Sequence, residues 1–131
     1  MAEYPASPTD NVARYIFSSS NYGGGKVKHG AFVPPNDYPN ELSVCVTTSL
    51  SETKRWEYSP MIAGKSAKAR AGLVVSDIRA ISDEQGGKLN VLIDGKPHRF
   101  HANIKSLPLD KSKRRAIAAE LANKSILVMA A

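Results

Sequence analysis

The chain has 131 residues, one cysteine and a hydrophobic fraction of 42%, enough for a single core that needs neither disulfides nor a structural metal. Eighteen Lys and Arg against twelve Asp and Glu leave a net charge of +6, which favours an anionic partner such as nucleic acid, another polyanion or an acidic protein. The lone Cys45 excludes a disulfide within the chain, the lack of any run of roughly eighteen apolar residues excludes a membrane helix, and the polar start MAEYPASPTDN is not a signal peptide. The expectation is a soluble, cytoplasmic protein.

Pro, Ser and Asp dominate Met1 to Asn11, which reads as a flexible lead, and residues 12–131 read as one domain. Val12 to Phe17 (VARYIF) begins the fold. The stretch SSSNYGGGKVKHG has no hydrophobic period and reads as a loop or wide turn. Within it, Gly23 to Gly25 with Lys26 and Lys28 admit either an anion-binding nest or a plain surface loop. A strand is expected from Lys26 to Val33, stopped by Pro34-Pro35. Leu42, Val44 and Val46 alternate with Ser43, Cys45 and Thr47, the pattern of a strand with one buried face. Ser51 is placed to cap the helix start ETKRWEY, with Glu52 near the positive end of the dipole, and Pro60 keeps that helix short. MIAGKSAKARAG reads as either a short helix or a basic loop. It is not a triphosphate-binding loop, because GxxxxGK[ST] requires glycine where Ser59 stands. Leu73 to Ile81 (LVVSDIRAI) is expected to be a strand.

The next segment, KLNVLIDGKPHRFHANI, runs from Lys88 to Ile104. A two-residue turn at Asp94-Gly95 would set Ile93 opposite Lys96, Val91 opposite His98 and Lys88 opposite His101. Alternation then puts Leu89, Val91, Ile93, Phe100, Ala102 and Ile104 on an apolar side. Lys88, Asn90, Arg99, His101 and Asn103 fall on the other. Beyond KSLPL, Asp110 caps a helix to about Asn123 whose inward stripe is Ile117, Ala118, Leu121 and Ala122, and SILVM reads as a buried strand. The sum is one α+β domain, a mainly antiparallel sheet of about five strands with two or three helices packed on it.

Two constellations carry chemistry. The run KSKRR supplies Lys111, Lys113, Arg114 and Arg115 at a helix start, where each exposed cation opposes the macrodipole at a cost of about 0.3–1 kcal/mol. A bound phosphate would offset that cost; the plain alternative is a solvated face with Asp110 compensating. The second constellation is His101. Cations at Lys88 and Arg99 would favour its neutral imidazole and make it a general base in outline, with Glu41, Asp77 or Ser43 as partner and Arg14 or Arg99 steadying an anion.

The leading reading is a basic module that contacts nucleic acid through its phosphates, using Lys111, Lys113, Arg114 and Arg115 with Lys88, Arg99, Asn103 and Arg14 as further binding residues. The alternatives are a small enzyme on a nucleotide or RNA-like substrate with His101 as acid/base, and a protein-interaction subunit whose sheet edge accepts a partner strand. Neither a cofactor motif nor a metal-ligand set is found. His98 and His101, three apart on a strand, would point to opposite faces, and His98 is expected to pack beside Val91. Cys45 reads as a core residue, and Tyr15, Tyr22, Tyr38, Trp56 and Tyr58 as core or rim residues.

The blocks RYIFSSS, GKVKHGAFVPP with ELSV shortly after, and HANI followed by a proline resemble a group of short uncharacterised bacterial proteins. The similarity runs in pieces from about Val12 to Met129. It implies no activity or substrate. What it implies is that Arg14, Lys28, Phe32, Glu41, Ser43, His101 and Asn103 lie in the blocks that define the group, whereas Leu107 stands before Pro108 where a bulky aromatic residue is expected.

Overall fold

In chain order the elements are β1 (Tyr4–Pro5), β2 (Asn11–Ile16), β3 (Tyr22–Gly23), β4 (Lys26–Val27), β5 (Leu42–Val46), α1 (Glu52–Glu57), β6 (Ala69–Val74), α2 (Val75–Arg79), β7 (Asn90–Ile93), β8 (His101–Lys105), α3 (Lys111–Lys124) and β9 (Ile126–Met129). The structure is a computed structural model that describes residues 3–34, 40–60, 64–82 and 88–130. Seven of the strands form one antiparallel sheet in the order β1-β7-β8-β5-β2-β6-β9, and β3 and β4 make a separate hairpin. Among the described residues, the α+β class with a large antiparallel sheet and the three helices named above agrees with the sequence reading; the sheet has seven strands rather than about five. One added strand comes from the segment read as a flexible lead. Tyr4 and Pro5 pair with β7, and Ala6 is buried with its amide donating to the Val91 carbonyl at 3.0 Å.

The alternation of each strand divides the sheet into two faces. Val12, Ile16, Leu42, Val44, Ala71, Leu73, Val91, Ala102 and Ile104 point to the main core, which α2, α3 and the 3-10 turn His29–Phe32 cover. We call this the helix face. Tyr15 and Cys45 point the other way, to a smaller cluster with Trp56, Tyr58 and Phe100 under α1, here called the aromatic face.

α3 follows its sequence signals closely. Asp110 accepts from the Lys113 amide at 2.9 Å, and the buried positions are Ile117, Ala118, Leu121 and Ala122. Burying a side chain of Ile or Leu size stabilises by about 1.5–3 kcal/mol, so this stripe, together with Phe32 beneath it, holds the helix layer on the sheet. α1 is capped as expected, Ser51 accepting from the Lys54 amide at 3.3 Å.

Four expectations are corrected. Leu73 to Ile81 is not one strand, because β6 ends at Val74 and α2 follows; Val75, Ile78 and Ile81 recur every third residue, and all three are buried as one stripe. The strand expected from Lys26 to Val33 stops at Val27, since the 3-10 turn that follows buries Ala31 and Phe32. The triple glycine is a tight hairpin turn with positive φ at Gly24 and Gly25. β9 is an edge strand rather than a buried one, with Ile126 71% exposed. Tyr38 and the start of MIAGKSAKARAG lie outside the described residues.

β2 pairs with β6 over six residues but with β5 at only Val12↔Val46 and Ala13↔Cys45. Beyond that point the two strands part, and Arg14 fills the gap. Its Nη1 donates to the Ser43 carbonyl at 2.9 Å and its Nε to the Ala31 carbonyl at 3.0 Å. Burial pulls this guanidinium down to about 10. Arg14 is thus taken up in lacing the sheet to the helix layer rather than presented to an anion.

Candidate nucleic-acid interface

Asp110 and Glu120 lie on one flank of α3. That flank faces Ser82 and also carries Ser112 and Lys113. The opposite flank faces the segment from Gly25 to Pro34, and there the described residues include no carboxylate. At its start, Lys111, Arg114 and Arg115 surround a cleft of about 180 Å³ closed by Val33 and Pro34. At its far end, a wider cleft of about 510 Å³ lies between Ala119, Asn123 and Ser125 on one side and Lys26 and His29 on the other. Lys26, Lys28, Lys111 and Arg115 are exposed. This arrangement follows from local structure. The Gly24-Gly25 turn folds β4 back so that Lys26 and Lys28 flank the buried Val27, and the anchoring of Phe32 sets the segment alongside α3.

The other proposed binding residues do not join this surface. Lys88 lies just before β7, and the hairpin register explains why it is far from His101. Ile93 pairs with Ala102 and Asn90 with Lys105, so Ile93 sits opposite a residue six positions beyond the expected Lys96. Residues 94–101 make the connection, and Lys88 is displaced from His101 by about six residues of strand, about 20 Å. Because the displacement is even, the faces survive: Leu89, Val91, Ala102 and Ile104 are buried as the alternation requires. Phe100 does not share that side and joins the aromatic cluster. Arg99 is exposed and stacks on the Phe100 ring with its guanidinium carbon 5.3 Å from the centroid.

His101 and Asn103 lie on the aromatic face, across the sheet from α3. The group that organises them is Asp94, which sequence reasoning used only as a turn residue. Its Oδ1 accepts from His101 Nδ1 at 2.6 Å and its Oδ2 from Asn103 Nδ2 at 3.0 Å. Asp94 lacks the positive φ of a type I′ turn; only Gly95 has it. Burial pushes the Asp94 carboxyl up, but the bonds from His101, the Lys96 amide and Asn103 outweigh this and hold it below the usual carboxylate range. Instead of cations, therefore, His101 has a carboxylate beside it. The signal for this role was weak: an Asp seven and nine residues before a His and an Asn, visible only once the register is known.

The 98–101 segment is a turn closed by the His101 amide on the His98 carbonyl, not a strand. That turn brings the two rings together at 5.7 Å, edge to face, and stacks His98 on Tyr58 at 4.3 Å. His98 Nδ1 accepts from the Phe100 amide, which leaves the proton on Nε2, a buried atom with no partner. Burial first, then the neighbouring His101, pulls the His98 imidazole down to about 4. Cys45 stands directly opposite His101 in the β5–β8 ladder, but it is fully buried and burial pushes its thiol up. His101 itself is 5% exposed, and none of the clefts described above touches it. Of the partners considered for it, Ser43 faces Asn103, Glu41 pairs with Lys105 at 2.6 Å, and Asp77 lies on α2.

On the same face, Arg70 grips Glu52 with two bonds of 2.6 and 2.8 Å and stacks on Trp56, pulling the Glu52 carboxyl down to about 2. Among the described residues no group of His, Cys, Asp and Glu is arranged to hold a metal, and no helix is long and apolar enough to cross a membrane. No protein-family model, curated protein or solved structure matches the chain, so a functional reading rests on its own residues.

Proposed function

We propose that this protein binds nucleic acid through phosphate contacts on the flank of α3 that faces Val33 and Lys26, where the described residues include no carboxylate. The observation that carries the reading is that Lys111 and Arg115 share a cleft in which the described residues place no carboxylate. Asp110 and Glu120 lie with Lys113 towards Ser82, while Lys111 and Arg115 lie towards Val33 and Pro34, and Lys26 of the hairpin lies across the wider cleft from Asn123. Cations at a helix start work against the macrodipole, and an anionic partner offsets that cost.

Contacts of this kind are sequence-independent and salt-sensitive. Four phosphate contacts give a slope of roughly −3.6 in log K against log salt, or a loss of about 10²-fold between 50 and 200 mM. Fluorescence anisotropy of a labelled mixed-sequence oligonucleotide duplex at those two salt concentrations is the test. The expected outcome is binding at 50 mM that falls by about 10²-fold at 200 mM and is largely lost in the double variant Lys111→Glu, Arg115→Glu. Absence of binding at 50 mM ends the reading.

A further inference from the structure

We infer that this protein forms a symmetric dimer by pairing β9 with β9 of a second copy, so that the two sheets run on as one. The inference goes beyond the phosphate-binding reading and stands whether or not nucleic acid binds.

It starts from a contrast between the two edges of the sheet. Sheets are protected at their edges by short strands, proline and charge, because a free row of backbone groups is a template for another strand. The β1 edge has all three: it is two residues long, Pro5 has no amide hydrogen to offer, and Glu3 stands before it, paired with Lys105 at 3.5 Å. The β9 edge lacks the last two. Ser125 to Ala130 contains neither a charge nor a proline, Ile126 is 71% exposed and Met129 is 50% exposed.

The direction of the backbone groups sets what this edge can take. The Ala130 amide donates to the Lys68 carbonyl at 3.0 Å, and the register pairs Val128 with Arg70 and Ile126 with Gly72. Antiparallel strands turn their backbone groups to alternate sides, so Ile126, Val128 and Ala130 bond inward to β6 whereas Leu127 and Met129 turn their N–H and C=O outward. Those outward groups have no partner among the described residues. A two-fold axis perpendicular to the sheet lays β9 antiparallel to β9 of a second copy, with like faces on the same side. In one register Leu127 faces Met129 of the second copy, and each such pair exchanges two bonds, which uses every outward group. That register sets Val128 against Val128 on the axis and the exposed Ile126 against the small Ala130. Ile126 and Val128 line a cleft of about 230 Å³ on the aromatic face, so there is room beside them. What selects a second copy is self-complementarity: within a single two-fold, the strand meets its own needs in backbone bonds and in side-chain size.

A strand edge is a small interface, so half-dimerisation is expected at roughly 10–100 μM. Sedimentation equilibrium of the full chain, free of nucleic acid, across that range is the test, and a monomer–dimer equilibrium is the expected result. Met129→Pro removes an outward amide but no bond to β6, and Ile126→Lys puts a charge on a side chain that is already exposed. Each should weaken dimerisation at least tenfold while circular dichroism shows the fold retained; Tyr4→Lys at the other edge should leave it within twofold. Oxidation reads the register. Val128→Cys should form an intermolecular disulfide, because the two positions make a non-hydrogen-bonded pair with Cα atoms about 4.5 Å apart, whereas Ile126→Cys should not. A strict monomer even at tenfold above that range overturns the inference. So does a dimer unmoved by both Met129→Pro and Ile126→Lys, or one abolished by Tyr4→Lys, and cross-linking at position 126 rather than 128 overturns the register.

Discussion

The two faces of the sheet use polar residues in opposite ways. On the aromatic face, the polar groups find one another. Asp94 takes up both His101 and Asn103, Arg70 takes up Glu52, and these side chains sit against rings. On the helix face the interior is largely aliphatic, and Lys111, Arg115 and Glu120 of α3 stay outside. The comparison teaches that a histidine with a carboxylate at hydrogen-bond distance is not by itself a reactive site. What separates an internal brace from a binding surface is whether the surroundings have already consumed the group's bonding capacity.

The division can be broken hardest from the helix side. Phe32 fills the space between sheet and α3, and Phe32→Ala is expected to lower the unfolding free energy in urea by about 3–5 kcal/mol, with loss of nucleic-acid binding, because Lys26 then loses its position. Next comes acid. His98 has a folded value of about 4 against an ordinary 6.5, so its contribution is fully present above pH 6.5 and is lost as pH falls from 6.5 towards 4, at most about 3 kcal/mol. The lowered Asp94 and Glu52 carboxyls act in the same direction, but only below their ordinary range near pH 4. Urea titrations at pH 7.5, 5.5 and 4 check this; His98→Phe, which keeps a ring against Tyr58, should flatten the upper step, and an unchanged step would remove His98 as its cause.

A smaller effect sharpens the contrast between braces and surface. Asp94→Ala leaves His101 and Asn103 without their acceptor and should cost about 1–3 kcal/mol of stability while nucleic-acid affinity stays within twofold. A large loss of affinity would mean that the two faces are coupled. The smallest effect has the opposite sign. Lys111→Glu at the first position of α3 should raise stability by about 0.3–1 kcal/mol through the helix dipole, while weakening nucleic-acid binding. A variant that gains nothing in stability would show that the cation at that position carries no cost for a ligand to offset.

Much of the helix face was legible in the sequence. Asp110 as cap and Ile117, Ala118, Leu121 and Ala122 as the buried stripe need only helical spacing, which is local information. The faces of the β7–β8 hairpin were legible for a similar reason: alternation has period two, so a displacement by an even number of residues leaves Val91 and Ile104 on the same side. What alternation does not contain is register. Asp94-Gly95 reads as a two-residue turn, but the side chain of Asp94 is worth more as an acceptor for His101 and Asn103, and the chain runs on to Ala102 before pairing. Hence Lys88 moved away from His101, and the basic constellation divided between the two faces. Lys26 was visible as a cation, but its place across the cleft from Asn123 depends on a long-range contact made by Phe32.

The lacing by Arg14 has a mechanical consequence. With only two residue pairs joining β2 to β5, the sheet is two ribbons, β1-β7-β8-β5 and β2-β6-β9, stitched along one seam by a side chain that cannot shed its charge at any ordinary pH. Amide exchange in the native state should therefore be fastest along that seam. Arg14→Lys, which keeps the charge but not the two-pronged reach, should let the ribbons breathe apart well before either one melts.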